Sequence, residues 1–102
     1  MFIFQKFEYY TILFKNHAIL RMLERGISKS QIIETIEQGI EIEDYPTDFP
    51  YPSKLIYNNN NENPLHAVLA LNKSESQIIV VTLYIPDVQH FEKDWITRKQ
   101  KL

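Results

Sequence analysis

The sequence predicts an α+β domain in which two N-terminal helices are followed by an antiparallel sheet of about four strands and a C-terminal helix. Apolar residues recur at helical spacing in two successive segments between residues 15 and 39, each closed by one of the chain's two glycines. From Ile40 onward the periodicity changes to two, in stretches separated by clusters of Pro, Asn and Asp. Helices followed by consecutive strands place the helices on one sheet face and leave the other partly open.

The first 14 residues mix aromatic and β-branched types that suit either a strand or a helix lead-in; they lean to a strand and are treated as an N-terminal extension. Residues 15–25 form the first helix, with Ala18, Ile19, Met22 and Leu23 as its buried stripe and Gly26 at the left-handed position that ends many helices. In "SKSQIIETIEQG", Ser28 and Gln31 have capping-box spacing, Ile32, Ile33 and Ile36 form a stripe, and Gly39 closes the second helix. The link between the helices is so short that they form a hairpin, with Ile27 as a hydrophobic staple.

Ile40 and Ile42 alternate with Glu41 and Glu43 in a short strand that "DYPTDFPYP" ends. Residues 53–58, 64–72 and 77–85 read as three more strands, the last central because it is nearly all apolar, with "NNNNEN" as a loop between two of them. Beyond Pro86, Val88, Phe91 and Trp95 fall on one face of a third helix.

A chain of 102 residues, 44% hydrophobic and 13% aromatic, is expected to form a single domain spanning 1–102, with its core at 15–98. The absence of cysteine excludes thiolate metal sites and fits a reducing compartment. Gln5, Lys6 and Glu8 interrupt the greasy N-terminus well short of the roughly 18 apolar residues a membrane span requires, so a cytoplasmic protein without membrane contact is expected. A net charge of −2 gives no global field to gather nucleic acid; phosphate binding requires a local basic patch. Three histidines without metal-ligand spacing argue against a metal site, and two glycines that both end helices exclude a phosphate-cradling loop. No cofactor is expected.

Two groups of residues could carry chemistry. On the first helix, His17, Arg21 and Arg25 stand at intervals of four and share a face. Such a stripe is either a solvated surface with a Glu24 or Glu34 salt bridge, or an anion site whose guanidiniums clamp a phosphodiester. In the sheet, setting Asn72 opposite Ile78 pairs His66 with Tyr84 and Val68 with Thr82 on one face. The other face then holds Leu65, Ala67, Leu69 and Leu71 against Ile79, Val81, Leu83 and Ile85. His66 is either a hydrogen-bonded structural histidine or a general acid or base, a role that typically contributes about 10² to 10⁴ in rate. The surface pair is the ordinary explanation for His90 and Asp94. A site holding a base, an acid and cations suits RNA, whose 2′-OH supplies its own nucleophile.

The ordered set "HAILRMLERGIS", "EIEDYP", "YPSKLIY", "PLHAVLAL" and "IIVVTLYIPD", followed by Trp95 and Arg98, resembles the bacterial family called domain of unknown function 4258, over roughly residues 15 to 98. That family in turn resembles the RelE and barnase-like ribonucleases and is often encoded beside small zinc-finger antitoxin-like proteins. The resemblance implies a metal-independent, toxin-type endoribonuclease acting on single-stranded RNA, with an antitoxin partner; a non-catalytic module that binds RNA or protein is the alternative. Carried over by position, the family's polar pattern falls on His17, Arg21, Arg25, His66, Thr82 and Tyr84. His66 or His17 would then be base and acid, Arg21 and Arg25 would bind phosphate, and Tyr84 would move a proton or stack on a base. His17, Arg21, His66 and Tyr84 are expected to converge in one partly open cleft between the first helix and the sheet.

Overall fold

In the computed structural model, which describes residues 10–60 and 63–99, the elements follow in the order β1 Thr11–Phe14, α1 Asn16–Arg25, α2 Lys29–Gln38, β2 Ile40–Tyr45, β3 Ser53–Asn60, β4 Asn63–Asn72 and β5 Gln77–Tyr84. The helices start and stop as their end residues dictate. Gly26 takes the left-handed conformation (φ 65°) with its N–H bonded to the Met22 carbonyl. Ser28 and Gln31 form the reciprocal capping box of α2. Gly39, by contrast, is required by space: an added Cβ would lie 2.5 Å from the Thr35 carbonyl oxygen, 2.6 Å from Ile56 Cγ2 and 2.9 Å from the Tyr57 carbonyl oxygen. Two of those three neighbours are backbone and cannot rotate away. Gly39→Ala is therefore expected to destabilise the fold by about 1–3 kcal/mol through overpacking, measured by denaturant unfolding.

The sheet is five-stranded and mixed, ordered β1-β5-β4-β3-β2. This corrects the expected four-stranded antiparallel sheet. Thr11–Phe14 are part of the sheet: they pair in parallel with Gln77–Val80, which the helical connection through α1 and α2 permits. Residues 2–9 of the same expected stretch lie outside the described residues. Much of the asparagine run is strand as well, since Asn58, Asn59 and Asn60 pair with Leu65, Pro64 and Asn63; residues 61 and 62 lie outside the described residues.

Among the described residues the expected C-terminal helix is absent. After β5 the chain forms a strap across the sheet, closed by an isolated bridge between Phe91 and Arg98 and by backbone bonds from Glu92 N–H to Thr97 and from Lys99 N–H to His90. The apolar spacing was helical, but two aspartates offer the backbone a local alternative. Asp87 accepts from the N–H groups of Gln89 and His90, and Asp94 from those of Ile96 and Thr97. Trp95 sits at φ 62°, which ends any helical path.

One sheet face and the two helices enclose the core, where Ala18, Ile32 and Ile36 meet Ile56, Ala67, Leu69, Val80 and Leu83. Since α1 packs chiefly against β5 among the strands, its buried face is narrow. Ala18 is enclosed, whereas Ile19 is exposed and Leu23 is 75% exposed, contrary to the expected stripe.

Candidate active site

The β4–β5 ladder decides which polar groups meet. His66 pairs with Tyr84 and Val68 with Thr82, as expected, but Asn72 lies opposite Gln77 rather than Ile78. A bulge at Val81 makes up the one-residue difference. The bulge sets Val80 and Leu83 into the core and leaves Ile79 and Val81, expected in that layer, on the opposite side with Val68 and Ala70.

On that opposite face His66 is fully buried (0% exposed). Tyr57, Tyr84 and Phe91 surround its ring edge-on, with centroids at 5.7, 5.1 and 4.6 Å. The strap thus covers a face expected to be partly open. His66 Nε2 lies 2.7 Å from the Trp95 carbonyl oxygen, and Nδ1 lies 3.1 Å from the Tyr84 hydroxyl. A carbonyl only accepts, so Nε2 carries the proton; in the neutral ring Nδ1 then accepts from Tyr84 O–H. Burial pushes His66 below the ordinary imidazole range, against the Trp95 hydrogen bond, and the neighbouring Arg98 charge lowers it further. Burial also pushes the Tyr84 phenol up, so it holds its proton at neutral pH.

This burial has a consequence for stability. Because the folded-state value of His66 is depressed, the unfolded chain binds more protons. The stability associated with the neutral ring is present above the unfolded value of about 6.5 and is lost as pH falls below it. Unfolding midpoints measured from about pH 7 down to about pH 5 should fall more steeply for the wild type than for His66→Gln, which carries no titrating ring.

The strap is anchored beside His66 by Arg98. Its Nε and Nη2 donate to Glu43 Oε2 (2.6 Å) and Oε1 (3.1 Å), its guanidinium lies 5.0 Å from the Phe91 ring centroid, and Tyr45 donates its hydroxyl to Glu43. The Arg98 hydrogen bond holds the Glu43 carboxyl below its usual range, while burial and then Glu43 push the Tyr45 phenol up to about 12.

Tyr84 opens onto a cleft of about 420 Å³ lined by Arg25, Tyr84, Asp87, His90, Phe91 and Arg98, among others. Arg25 reaches it because β1 pairs only with the first half of β5. Lys15 N–H still bonds to the Val80 carbonyl, and α1 then continues along β5, bringing its C-terminal end to the Tyr84 end of the strand. Among the described residues Arg25 has no ion-pair partner. On the opposite wall, His90 Nδ1 lies 2.8 Å from Asp87 Oδ1, and its hydrogen bond holds the Asp87 carboxyl below the usual range.

Of the sequence-predicted residues, the structure brings together His66, Tyr84 and Arg25. His17 is exposed in the first turn of α1, about 12 Å along the axis from Arg25. Arg21 is tied to Glu24 at 2.8 Å, the surface pair that its spacing also allowed. Thr82 stands beside the bulge and does not line the cleft. The predicted meeting of His17 and Arg21 with the sheet residues is not seen, because their stripe turns outward while only its last member reaches the end of β5. Sequence reasoning missed Glu43, Tyr45, Asp87, His90 and Arg98. Asp87 and His90 carried a usable signal, an acid and a histidine at hydrogen-bonding separation after a strand end. Glu43 and Arg98 lie 55 residues apart and carried none.

The family model described as Domain of unknown function (DUF4258) matches residues 14–85. The chain belongs to this family. The DUF4258 segment holds Arg25, Glu43, Tyr45, His66 and Tyr84, whereas the strap that encloses His66 follows it in sequence. No curated protein and no solved structure matches the chain. Among the described residues no helix is long and apolar enough to cross a membrane, and no three His, Cys, Asp or Glu side chains cluster as metal ligands would.

Proposed function

We propose that this DUF4258 protein is a metal-independent endoribonuclease of toxin type, acting in the cytoplasm on single-stranded RNA. One observation carries the reading: the Tyr84 phenol, hydrogen-bonded to the buried neutral His66, opens onto a cleft that also holds Arg25, Arg98 and the Asp87–His90 pair. The ribose 2′-OH gives its proton to the Tyr84 oxygen as the Tyr84 proton passes to His66 Nδ1. The Trp95 carbonyl, which accepts from Nε2, supports the imidazolium that forms. The 2′ oxygen attacks phosphorus, and the 5′ oxygen leaves with a proton from His90, whose ring Asp87 orients through Nδ1. The products are a 2′,3′-cyclic phosphate and a 5′-hydroxyl end. Arg25 binds the phosphoryl oxygens, and Arg98, held by Glu43, adds positive potential behind them.

The expectation that members of this family are toxin-type ribonucleases supports the same chemistry, and with it an antitoxin-like partner protein of zinc-finger type encoded nearby. Enclosure of His66 on all sides favours a second reading, a non-catalytic module that binds RNA or protein, in which the histidine only ties the strap to the sheet.

The test is incubation of purified protein with single-stranded RNA in EDTA, with product ends identified by mass. Cyclic phosphate ends that disappear in Tyr84→Phe support the nuclease. RNA binding without cleavage, weakening with salt as phosphate contacts release counterions, supports the module.

A further inference from the structure

Beyond the Tyr84 cleft, the same sheet face carries a second cavity, of about 250 Å³, that the cleavage chemistry does not use. Its floor is apolar, formed by Val68, Ala70, Ile79 and Val81, the last two placed there by the bulge. Its rim is made by Phe49, Tyr51, Asp48 and Lys15. Phe49 is 94% exposed, and prolines at 46, 50 and 52 flank it. Proline fixes φ and lowers the freedom of a loop, so this aromatic ring is displayed at small entropic cost. Asp48 is held in place from below: the Ser53 hydroxyl, on a buried residue, donates to its Oδ2 at 2.6 Å. Its Oδ1 remains available as an acceptor.

We propose that this cavity is a base-binding subsite for the RNA whose phosphodiester lies at Tyr84, taking one unstacked nucleobase with an exocyclic amino group, cytosine in preference to uracil. The inference rests on the nuclease reading for the identity of the strand. An apolar floor and a free aromatic ring form a stacking platform of the kind single-stranded nucleic acid occupies. The Asp48 carboxylate accepts from an amino group and repels the carbonyl that uracil presents in its place. Lys15, at the mouth, faces the adjoining backbone phosphate. Four residue steps along β4 separate His66 from Ala70, about 13 Å, a distance that a short run of unstacked nucleotides covers.

The experiment measures the affinities of 2′-O-methyl oligocytidylate and oligouridylate by fluorescence anisotropy; these strands lack the attacking hydroxyl, so binding is read without cleavage. The wild type should prefer oligocytidylate by about tenfold. Phe49→Ala should weaken both by about 5- to 150-fold, and Phe49→Trp should restore them. Asp48→Asn keeps an acceptor for Ser53 but turns an amino group towards the ligand, so the preference should reverse. Affinities unchanged within about twofold in Phe49→Ala, or a cytosine preference that survives Asp48→Asn, overturn the subsite. If these variants behave as expected but the wild type does not cleave single-stranded RNA, the nuclease assignment fails and the subsite stands. If Tyr84→Phe is inactive and the Phe49 and Asp48 variants bind as the wild type does, the subsite alone falls.

Discussion

Replacing Tyr84 by Phe is expected to lower the rate of RNA cleavage by about 10²- to 10⁴-fold, the range of one positioned proton-transfer group. The change deletes a single oxygen. It leaves the ring in contact with His66 at the same place in the ladder, and the cleft keeps Arg25, Arg98 and His90. Loss of rate without loss of RNA affinity therefore isolates the phenol from the cations. His66 Nδ1 loses its donor in a buried position, which costs about 1–3 kcal/mol of stability. Single-turnover cleavage in EDTA, with circular dichroism to confirm folding, checks both effects. A wild-type rate would show that Tyr84 does not take part. The pH profile gives a second readout in the wild type. In the proposed step His66 accepts a proton and so must be neutral; burial holds it below the ordinary range, so activity should persist at pH values below about 6.5, where a free imidazole would already be protonated.

Phe91→Ala has the largest expected effect on stability, about 3–5 kcal/mol, the usual range for removing a buried aromatic ring. Phe91 is 2% exposed, lies edge-on to His66 and carries the Arg98 guanidinium on its own ring. Its loss therefore weakens three things together: the packing against the sheet, the cover over the imidazole and one contact of the Arg98 anchor. Denaturant unfolding measures the total. NMR titration of the His66 ring separates the local part, because an uncovered imidazole regains water and its titration moves up towards about 6.5. If stability falls but the titration does not move, the strap stays docked without its phenylalanine.

The legible parts of this fold were those whose physics is local or periodic. Gly26 and the Ser28–Gln31 box state where α1 and α2 end and begin, and alternation in 64–72 and 77–84 brought His66 opposite Tyr84. That pairing was right although the counting behind it was off by one, because nothing in an apolar run marks Val81 as a bulge. The strap was not legible because Val88, Phe91 and Trp95 have helical spacing, and the bonds by which Asp87 and Asp94 draw the backbone out of a helix leave no mark on that spacing. β1 was visible as a strand-like stretch, but its parallel partner lies more than sixty residues away, and pairing at that range leaves no sequence pattern. His17 and Arg21 share a face as their spacing indicates; which way that face turns depends on α1 packing chiefly against β5.

The pairing of β1 with β5 also sets an order of events during synthesis. Among the described residues β1 has β5 as its only strand partner, so that edge of the sheet cannot form until all the intervening chain has emerged. Contacts this distant slow folding, and until they form the apolar side chains of β5 lack their cover. The strap follows later still, bringing the carbonyl that fixes the His66 proton and the arginine that anchors it. A nascent chain that has reached β5 but not the strap has its histidine and tyrosine side by side without the enclosure that orients them. The enclosure of His66 is thus completed only after the ribosome has moved past every helix and strand named above.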